Sequence, residues 1–158
     1  MNVVDFAPCD PEDVPASELL SEMSAELNEL YWTRSRLSLP KVEPAELRAP
    51  TGTFLVGWDG TRAVAGGGLR QLAEGVAEIK RMFVRPPARS RGVAGELLAA
   101  LESVAYTLGY RAARLDTGPK QVHAIRLYEK AGFAPIEPYN DTPFACFWGE
   151  KELKQPSS

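Results

Sequence analysis

The chain has few of the residues that build metal sites and disulfide frameworks. It contains two cysteines, Cys9 and Cys146, far apart in sequence, and a single histidine, His123. Zinc sites are built from cysteines and histidines at short, repeated spacings, and no such spacing occurs here. We therefore expect no metal, and two free thiols in a reducing compartment.

Long apolar runs and an excess of positive charge are missing as well. Residues 1–5 have neither the basic nor the apolar region of a signal peptide, and no run approaches the roughly 20 apolar residues of a membrane-spanning helix. The formal net charge is −3, so the overall field does not favour nonspecific binding to nucleic acid. These absences predict a cytoplasmic protein without a membrane or nucleic-acid partner.

The remaining composition is that of a globular domain. Of the 158 residues, 44% are hydrophobic and 25% are charged, which is typical of soluble proteins. This length suits one domain that buries its own core. We expect a single domain over residues 1–153, followed by a flexible tail over residues 154–158.

Hydrophobic periodicity and turn residues predict a mixture of strands and helices. A helix is expected to begin at Ser17 as its N-cap and to end near Tyr31. A second helix over residues 95–108 follows a strand and precedes another, which predicts one parallel crossover within an antiparallel meander. The fold class is therefore α+β, or mixed α/β. Strands are expected at residues 3–6, 53–58, 62–72, 76–84, 112–116, 133–136 and 144–151, and a last helix at 121–131.

A basic, glycine-containing turn lies between the strand at residues 76–84 and the helix at residues 95–108. It reads Arg-Ser-Arg-Gly-Val-Ala over residues 89–94 and fits the pattern Gln/Arg-x-x-Gly-x-Gly/Ala. At such a turn, backbone N–H groups and the positive end of the helix dipole stabilise an anion. The turn lacks the Gly-Lys-Ser/Thr ending of a nucleoside-triphosphate loop, and no dinucleotide-binding Gly-x-Gly-x-x-Gly is present. The turn therefore predicts a phosphate site.

Three segments, taken in order, resemble the GNAT superfamily of acetyl-CoA-dependent N-acetyltransferases. They are residues 77–86, 89–94 and 124–133, and the last reads Ala-Ile-Arg-Leu-Tyr-Glu-Lys-Ala-Gly-Phe, similar to the motif A-I-x-L-Y-E-x-x-G-F. The resemblance covers roughly residues 53–149. It implies the GNAT fold, a mostly antiparallel sheet with a splayed parallel strand pair and about four flanking helices. It also implies acetyl-CoA as cofactor and CoA as product.

The resemblance also implies a set of cofactor-binding residues. Free backbone groups of the splayed strand would pair with the pantetheine arm, as an added strand pairs with a sheet edge. The small residues of the turn would let the pyrophosphate approach the N–H groups, and its arginines would add charge. Gln121 stands where many members have an asparagine that bonds to the pantetheine. The set comprises Met82, Phe83, Val84, Arg89, Ser90, Arg91, Gly92, Val93, Ala94, Gly95, Gln121 and Tyr128.

Acetyl transfer requires a neutral amine, a stabilised thioester oxygen and a proton for the leaving thiolate. By the resemblance, Glu78 matches the general base, acting through water, and Tyr128 matches the general acid toward the CoA sulfur. The strand period is expected to place Glu78, Met82 and Val84 on one face. A backbone N–H of the same strand would donate a hydrogen bond to the thioester oxygen as it gains negative charge. Two structural readings stay open, in which Glu78 pairs with Lys80 and Tyr128 is a core residue.

The acceptor side is assigned by position alone. Tyr31 and Arg34 are expected to form one wall of the acceptor site and Tyr139 the other, with Glu78 beside the amine. The sequence offers carboxylates that could bind a cationic amine, and it also offers arginines that could bind a carboxylate. The identity of the acceptor therefore stays open. The first function expected is an N-acetyltransferase for a small-molecule or amino-acid-like amine. A protein or peptide acetyltransferase and a non-catalytic acyl-CoA-binding module are the alternatives, and a homodimer is possible in each case.

Overall fold

The computed structural model describes residues 3–30, 42–118, 122–142 and 144–156. Within them, seven strands form one sheet in the order β1-β2-β3-β4-β5-β7-β6. Two short 3-10 turns, Pro44–Leu47 and Pro86–Ala88, precede β2 and α2. The strands and helices are β1 (Asp5–Pro8), α1 (Ala16–Leu30), β2 (Thr53–Asp59), β3 (Arg62–Ala73), β4 (Val76–Val84), α2 (Val93–Thr107), β5 (Ala112–Thr117), α3 (Val122–Lys130), β6 (Ala134–Pro135) and β7 (Phe147–Glu152).

The sheet is mostly antiparallel, as predicted. The pairing of β4 with β5 is parallel, and the other five pairings of the described strands are antiparallel. Helix α2 makes the crossover between the two parallel strands. The described residues contain three α-helices, where about four were expected, and no helix among them is long and apolar enough to cross a membrane. The α+β class and the mostly antiparallel sheet are confirmed.

The core lies on both faces of the sheet. On one face, α2 buries Leu97, Leu98 and Leu101 at helical spacing against Ile79 and its neighbours. On the other face, α1 packs the side chains of Leu19 and Met23 against Phe54 and Phe83. A fully buried side chain of this size contributes about 1.5–3 kcal/mol. The two layers hold the middle of the sheet in place, and β4 lies between them.

Three consecutive glycines of β3, residues 66–68, form a glycine cluster that allows both layers to approach the sheet closely. A Cβ atom on Gly67 would lie 3.1 Å from side-chain carbons of both Leu101 and Met82. Opposite it, β4 carries a β-bulge, since Gly66 pairs with Phe83 while Gly68 pairs with Lys80. Two residues of β4 therefore stand opposite one of β3, and one of them, Arg81, has a positive φ of 60°.

The bulge reverses the side-chain alternation of β4. Before it, Glu78 and Lys80 lie on the α1 face, because their partners across β3 are Arg70 and Gly68, and a Cβ on Gly68 would meet Leu47 and Phe54 of that face. After it, Phe83 belongs to the α1 face, while Met82 and Val84 pack against the α2 cluster. The prediction that Glu78 shares a face with Met82 and Val84 is therefore wrong. An extra residue in a strand shifts every later side chain to the opposite face.

Several predicted boundaries also move. Ser17 lies inside α1 rather than at its N-cap, because its N–H bonds to the carbonyl of Asp13 in the preceding turn. Helix α2 begins at Val93, since Gly92 already has the left-handed φ of 79° that turns the chain into the helix. Strand β1 runs from Asp5 to Pro8 and β7 begins at Phe147, in both cases later than predicted.

Candidate active site

The sheet splits between its two parallel strands. β4 and β5 pair only where Val76–Glu78 meets Ala112–Arg114. Beyond this point β5 continues to pair with β7, whereas the last two thirds of β4, residues 79–84, have no partner among the described strands on that side. Strands normally satisfy their backbone N–H and C=O groups in ladders. The split therefore exposes an edge of β4 that can accept an extended ligand, and the predicted splayed pair is present.

A cleft of about 590 Å³ opens beside this edge. Its walls are the end of β4, the turn and first residues of α2, and one side of α3. Ten of the twelve predicted cofactor-binding residues line it: Met82, Phe83, Val84, Arg89, Ser90, Gly92, Val93, Ala94, Gly95 and Tyr128. The resemblance grouped these residues as one binding site, and the structure brings them together from three elements.

The turn before α2 has the backbone geometry of an anion site. Ser90 and Gly92 have positive φ values of 66° and 79°, and Gly92 is the N-cap of α2 without a side-chain hydrogen bond. The first N–H groups of a helix have no intrahelical acceptors and carry the positive end of the dipole. A Cβ on Gly92 would meet no atom within 4 Å, so the space beside the turn is open to a phosphate group.

Arg89 connects this turn to α1. Its Nε donates to the carbonyl oxygen of Val84 at 2.8 Å, and its Nη2 donates to Oε1 of Glu26 at 2.7 Å. The guanidinium also lies over the ring of Phe83, 5.5 Å from its centroid. Arg91, in contrast, lines grooves on the other side of the turn. Of the two predicted arginines, the structure thus places only Arg89 in the cleft.

A second pocket, of about 190 Å³, lies on the other side of the strand split. Side chains of α1, the middle of β4 and the end of β5 enclose it, together with Thr142 and Phe144 from the segment before β7. Met82, Phe83 and Tyr128 line both this pocket and the larger cleft. The two compartments therefore meet at Tyr128.

Tyr128 is 8% exposed, and among the described residues its hydroxyl donates only a weak contact, to Sδ of Met82 at 4.0 Å. Burial raises the pKa of this phenol to about 12, and the negative charge of Asp116 adds to the effect. A sulfur atom is a weak acceptor, so the hydroxyl can turn to a stronger partner. Tyr128 stays protonated at neutral pH and can donate a hydrogen bond where the two compartments meet.

Glu78 lies behind the second pocket rather than in its wall. Its side chain is fully buried: Oε1 accepts a hydrogen bond from Nε of Arg70 at 2.9 Å, and Oε2 accepts one from the hydroxyl of Tyr139 at 2.7 Å. Nζ of Lys80 lies 3.5 Å from the same Oε2. A buried carboxylate requires such compensation by charges and donors. Glu78 is thus the centre of a polar network whose other members reach the pocket.

Tyr139 belongs to this network. Burial first, and then the adjacent carboxylate of Glu78, raise the pKa of its phenol above the usual value. Arg114 stacks its guanidinium over the Tyr139 ring, 5.6 Å from the centroid. The side chain that was expected to form an acceptor wall therefore holds Glu78 and does not line the second pocket.

Asp116 is the residue of this site that sequence reasoning missed. Its Oδ2 accepts hydrogen bonds from Nδ2 of Asn140 at 2.7 Å and from Oγ1 of Thr142 at 3.1 Å, and Nζ of Lys80 lies 3.8 Å away. The carboxylate lines the second pocket. One signal for it existed, since Asp116 ends a predicted strand of the parallel pair, and ligands bind at the carboxyl ends of such strands.

The match to known proteins identifies this architecture. Residues 18–133 match the model of the acetyltransferase (GNAT) family. The chain belongs to the GNAT family. It is 36% identical to an IAA acetyltransferase of Azospirillum brasilense over 140 residues, which span 86% of this chain and 89% of the relative. The reaction class of this GNAT protein is thus acyl transfer from acetyl-CoA.

Solved GNAT structures share the whole fold. A candidate acyl-CoA N-acyltransferase of Klebsiella pneumoniae superposes with a TM-score of 0.76 at 26% identity, covering 96% of this chain and 99% of that one. A GNAT acetyltransferase of Elizabethkingia anophelis with bound acetyl-CoA superposes with a TM-score of 0.66 at 18% identity, covering 95% and 98%. The second likeness shows the fold alone, and the acetyl-CoA is bound to that protein.

The GNAT cleft fits this cofactor on its own geometry. The unpaired edge of β4 suits the amide groups of a pantetheine arm, and the open first turn of α2 suits a pyrophosphate. Tyr31, Arg34 and Gln121 lie outside the described residues, so their predicted roles stay predictions. Within residues 3–30, 42–118, 122–142 and 144–156, no group of three or more His, Cys, Asp or Glu side chains could hold a metal ion.

Proposed function

We propose that the protein transfers the acetyl group of acetyl-CoA directly to a primary amine of a small-molecule or amino-acid-like acceptor, through a ternary complex. The observation that carries this proposal is the meeting of the cofactor cleft with a second pocket at Tyr128. A thioester in the cleft and an amine in the pocket would be neighbours, so no acyl-enzyme intermediate is needed. The small volume of the second pocket, about 190 Å³, favours a small acceptor over a protein.

The residues divide the reaction between them. The amine nitrogen attacks the thioester carbon, and a backbone N–H of β4 near Phe83 stabilises the oxygen as it gains charge. The carbon–sulfur bond then breaks, and Tyr128 donates its proton or hydrogen bond to the leaving sulfur. The carboxylate network centred on Glu78 takes up the proton that leaves the amine, through water. No step requires a metal ion or a redox partner.

The proposal is tested by measuring CoA release from acetyl-CoA across a panel of amines, amino acids and short peptides. We expect release that depends on the acceptor, and a drop of at least ten-fold for Tyr128→Phe, with the Kd for acetyl-CoA changed by less than three-fold. Tyr106→Phe is the matched control, because it removes the same hydroxyl from a residue of α2 that contacts Arg111 and lies away from both compartments.

Two results would contradict the proposed reaction, and a third would contradict the role of Tyr128. Tight binding of acetyl-CoA without release by any acceptor would favour a non-catalytic acyl-CoA-binding module. Faster acetylation of peptide amines than of every free amine would favour the peptide acetyltransferase. If Tyr128→Phe and Tyr106→Phe change the rate of CoA release equally, Tyr128 has no catalytic role.

A further inference from the structure

Two carboxylates line the second pocket, which the proposed function assigns to the acceptor: Asp116, and Glu26, which is paired with Arg89. Asp116 lines the pocket, with a side chain that is 10% exposed, whereas Glu78 is fully buried and is not part of the lining. Both oxygens of Glu78 already accept hydrogen bonds, from Arg70 and from Tyr139. A general base must come within hydrogen-bond reach of the proton that it removes, directly or through one water. Asp116 meets this condition better than Glu78 does.

The neighbours of Asp116 occupy one of its two carboxylate oxygens and leave the other available to an acceptor amine. Asn140 is oriented by the indole N–H of Trp148, which donates to its Oδ1 at 2.8 Å. Its Nδ2 therefore points at Asp116 and donates to Oδ2. Thr142 donates to the same Oδ2. Among the described residues Oδ1 has no hydrogen-bond partner, and it is the oxygen left for an acceptor.

The charges around Asp116 suit an amine that must lose a proton. Lys80 and Arg81 line the same pocket, and Lys80 lies between the carboxylates of Asp116 and Glu78. Neighbouring cations disfavour a further ammonium ion and lower the pKa of a bound amine. An adjacent carboxylate can accept the proton that is released. Tyr128 lines the same pocket, so the proton acceptor and the proton donor would lie on two sides of one reacting centre.

We propose that Oδ1 of Asp116 contacts the acceptor amine and takes its proton, and that Glu78, Lys80 and Asn140 position Asp116. The inference rests on the proposed acetyl transfer. In the balanced reaction, an ammonium acceptor loses two protons as its nitrogen forms the bond to carbon. One proton passes through Asp116 to solvent. The sulfur gains one from Tyr128 as the carbon–sulfur bond breaks, and the second proton of the amine restores the phenol. The acceptor class is therefore a primary amine that is cationic in solution at neutral pH.

The test compares Asp116→Asn and the native protein with two versions of one acceptor. The first is the best alkyl amine of the panel, and the second is its β,β-difluorinated analogue. Both are assayed at a pH above the pKa of the fluorinated amine and below that of the parent amine, so that one is neutral and the other is cationic. For Asp116→Asn we expect kcat/KM to fall at least 100-fold with the cationic amine and less than ten-fold with the neutral one. Asp13→Asn, an exposed residue before α1, is the matched control. The Kd for acetyl-CoA and the melting temperature report that each variant is folded.

The outcomes separate the two proposals. If the native protein shows no acceptor-dependent release, acetyl transfer itself fails and this inference fails with it. Two results with an active native protein would overturn only the role of Asp116. In the first, folded Asp116→Asn keeps kcat/KM within three-fold of the native value. In the second, kcat/KM of Asp116→Asn falls by the same factor with both amines. If Asp116→Asn no longer binds acetyl-CoA, Asp116→Glu replaces it. This variant keeps the carboxylate and should retain a preference for the cationic amine, and loss of that preference would overturn the role.

Discussion

The protonation of the Tyr128 hydroxyl decides whether it can donate a proton or a hydrogen bond to the leaving sulfur. Its pKa is raised to about 12 by burial and by the charge of Asp116. A thiolate such as that of CoA resembles a cysteine thiolate, with a pKa of roughly 8.5. The phenol is therefore a weaker acid than the thiol of CoA. Tyr128 contributes a strong hydrogen bond to the sulfur, and its proton does not move completely before the carbon–sulfur bond breaks.

The raised pKa of Tyr128 predicts an alkaline pH profile. Between about pH 8 and pH 10, kcat at saturating acetyl-CoA and amine should not fall through loss of the Tyr128 proton, because ionisation begins only near pH 11. The measurement is kcat against pH for the native protein and for Tyr128→Phe, which should be slower at every pH. A fall centred near pH 10 in the native protein that is absent from Tyr128→Phe would show an ordinary tyrosine pKa and contradict the burial argument.

Individual site residues differed in how well sequence identified them. Tyr128 stands inside a ten-residue motif, so the resemblance located it and the structure places it where the two compartments meet. Glu78 was identified by its match to the family base, yet its burial behind Lys80 could not be read from the strand pattern. Asp116 gained its importance from Asn140 and Thr142, which lie more than twenty positions further along the chain. Only the fold brings these side chains together.

At the scale of elements, helix α1 is tied to the cofactor cleft by one ion pair. Glu26 lines the second pocket and Arg89 lines the cleft. Their side chains are 36% and 41% exposed, and Nη2 of Arg89 lies 2.7 Å from Oε1 of Glu26. An ion pair this exposed contributes roughly 0–1 kcal/mol to stability. Its larger effect concerns Arg89, because a guanidinium bound to a carboxylate is less available to a phosphate.

Removing the carboxylate is predicted to strengthen cofactor binding. Glu26→Gln should lower the Kd for acetyl-CoA about two- to five-fold at low ionic strength, since Arg89 gains freedom to pair with a phosphate. Arg89→Gln should raise the Kd. Titration calorimetry at low and high salt measures both, and Glu29→Gln, an exposed residue of the same helix, is the control. An unchanged Kd in both variants would show that Arg89 does not contact the phosphates.

The elements themselves were largely predictable, and their irregularities were not. The antiparallel meander and the parallel crossover follow from local sequence and are present in the structure. The face of β4 was mispredicted, because alternation assumes an unbroken strand and the bulge at Arg81 and Met82 interrupts it. The glycine cluster of β3 lies opposite this bulge, and only the pairing of the two strands shows that β4 carries the extra residue.

At the scale of the whole molecule, the candidate active site lies where the sheet stops being continuous. The two helical layers hold the paired part of β4 and β5, and the split beyond Glu78 supplies unpaired backbone on one side and a polar pocket on the other. The buried groups beside the split include Tyr128, Glu78 and Lys80. The fold therefore stabilises a site that contains ionisable groups in its interior, and its stability must depend on pH.

The alkaline side of this dependence is predicted from the tyrosines. Burial raises the pKa of Tyr128 to about 12, and the pKa values of Tyr110 and Tyr139 are also raised. The unfolded value is near 10. A folded pKa above the unfolded one means that the stabilisation is fully present below about pH 10 and is lost as the pH rises toward 12. For Tyr128 alone the loss at pH 11 is about 1.4 kcal/mol.

Urea unfolding at about pH 8, 10 and 11 measures this loss. The free energy of unfolding of the native protein should fall between pH 10 and 11 by more than that of Tyr128→Phe, because phenylalanine cannot ionise. Comparing the two pH dependences cancels the deprotonation of lysines, which both proteins share. Parallel curves would mean that Tyr128 is not held in a low-dielectric site. A larger fall in the native protein than in Tyr128→Phe would place the Tyr128 hydroxyl away from bulk water, where a hydrogen bond to the departing sulfur has its greatest effect.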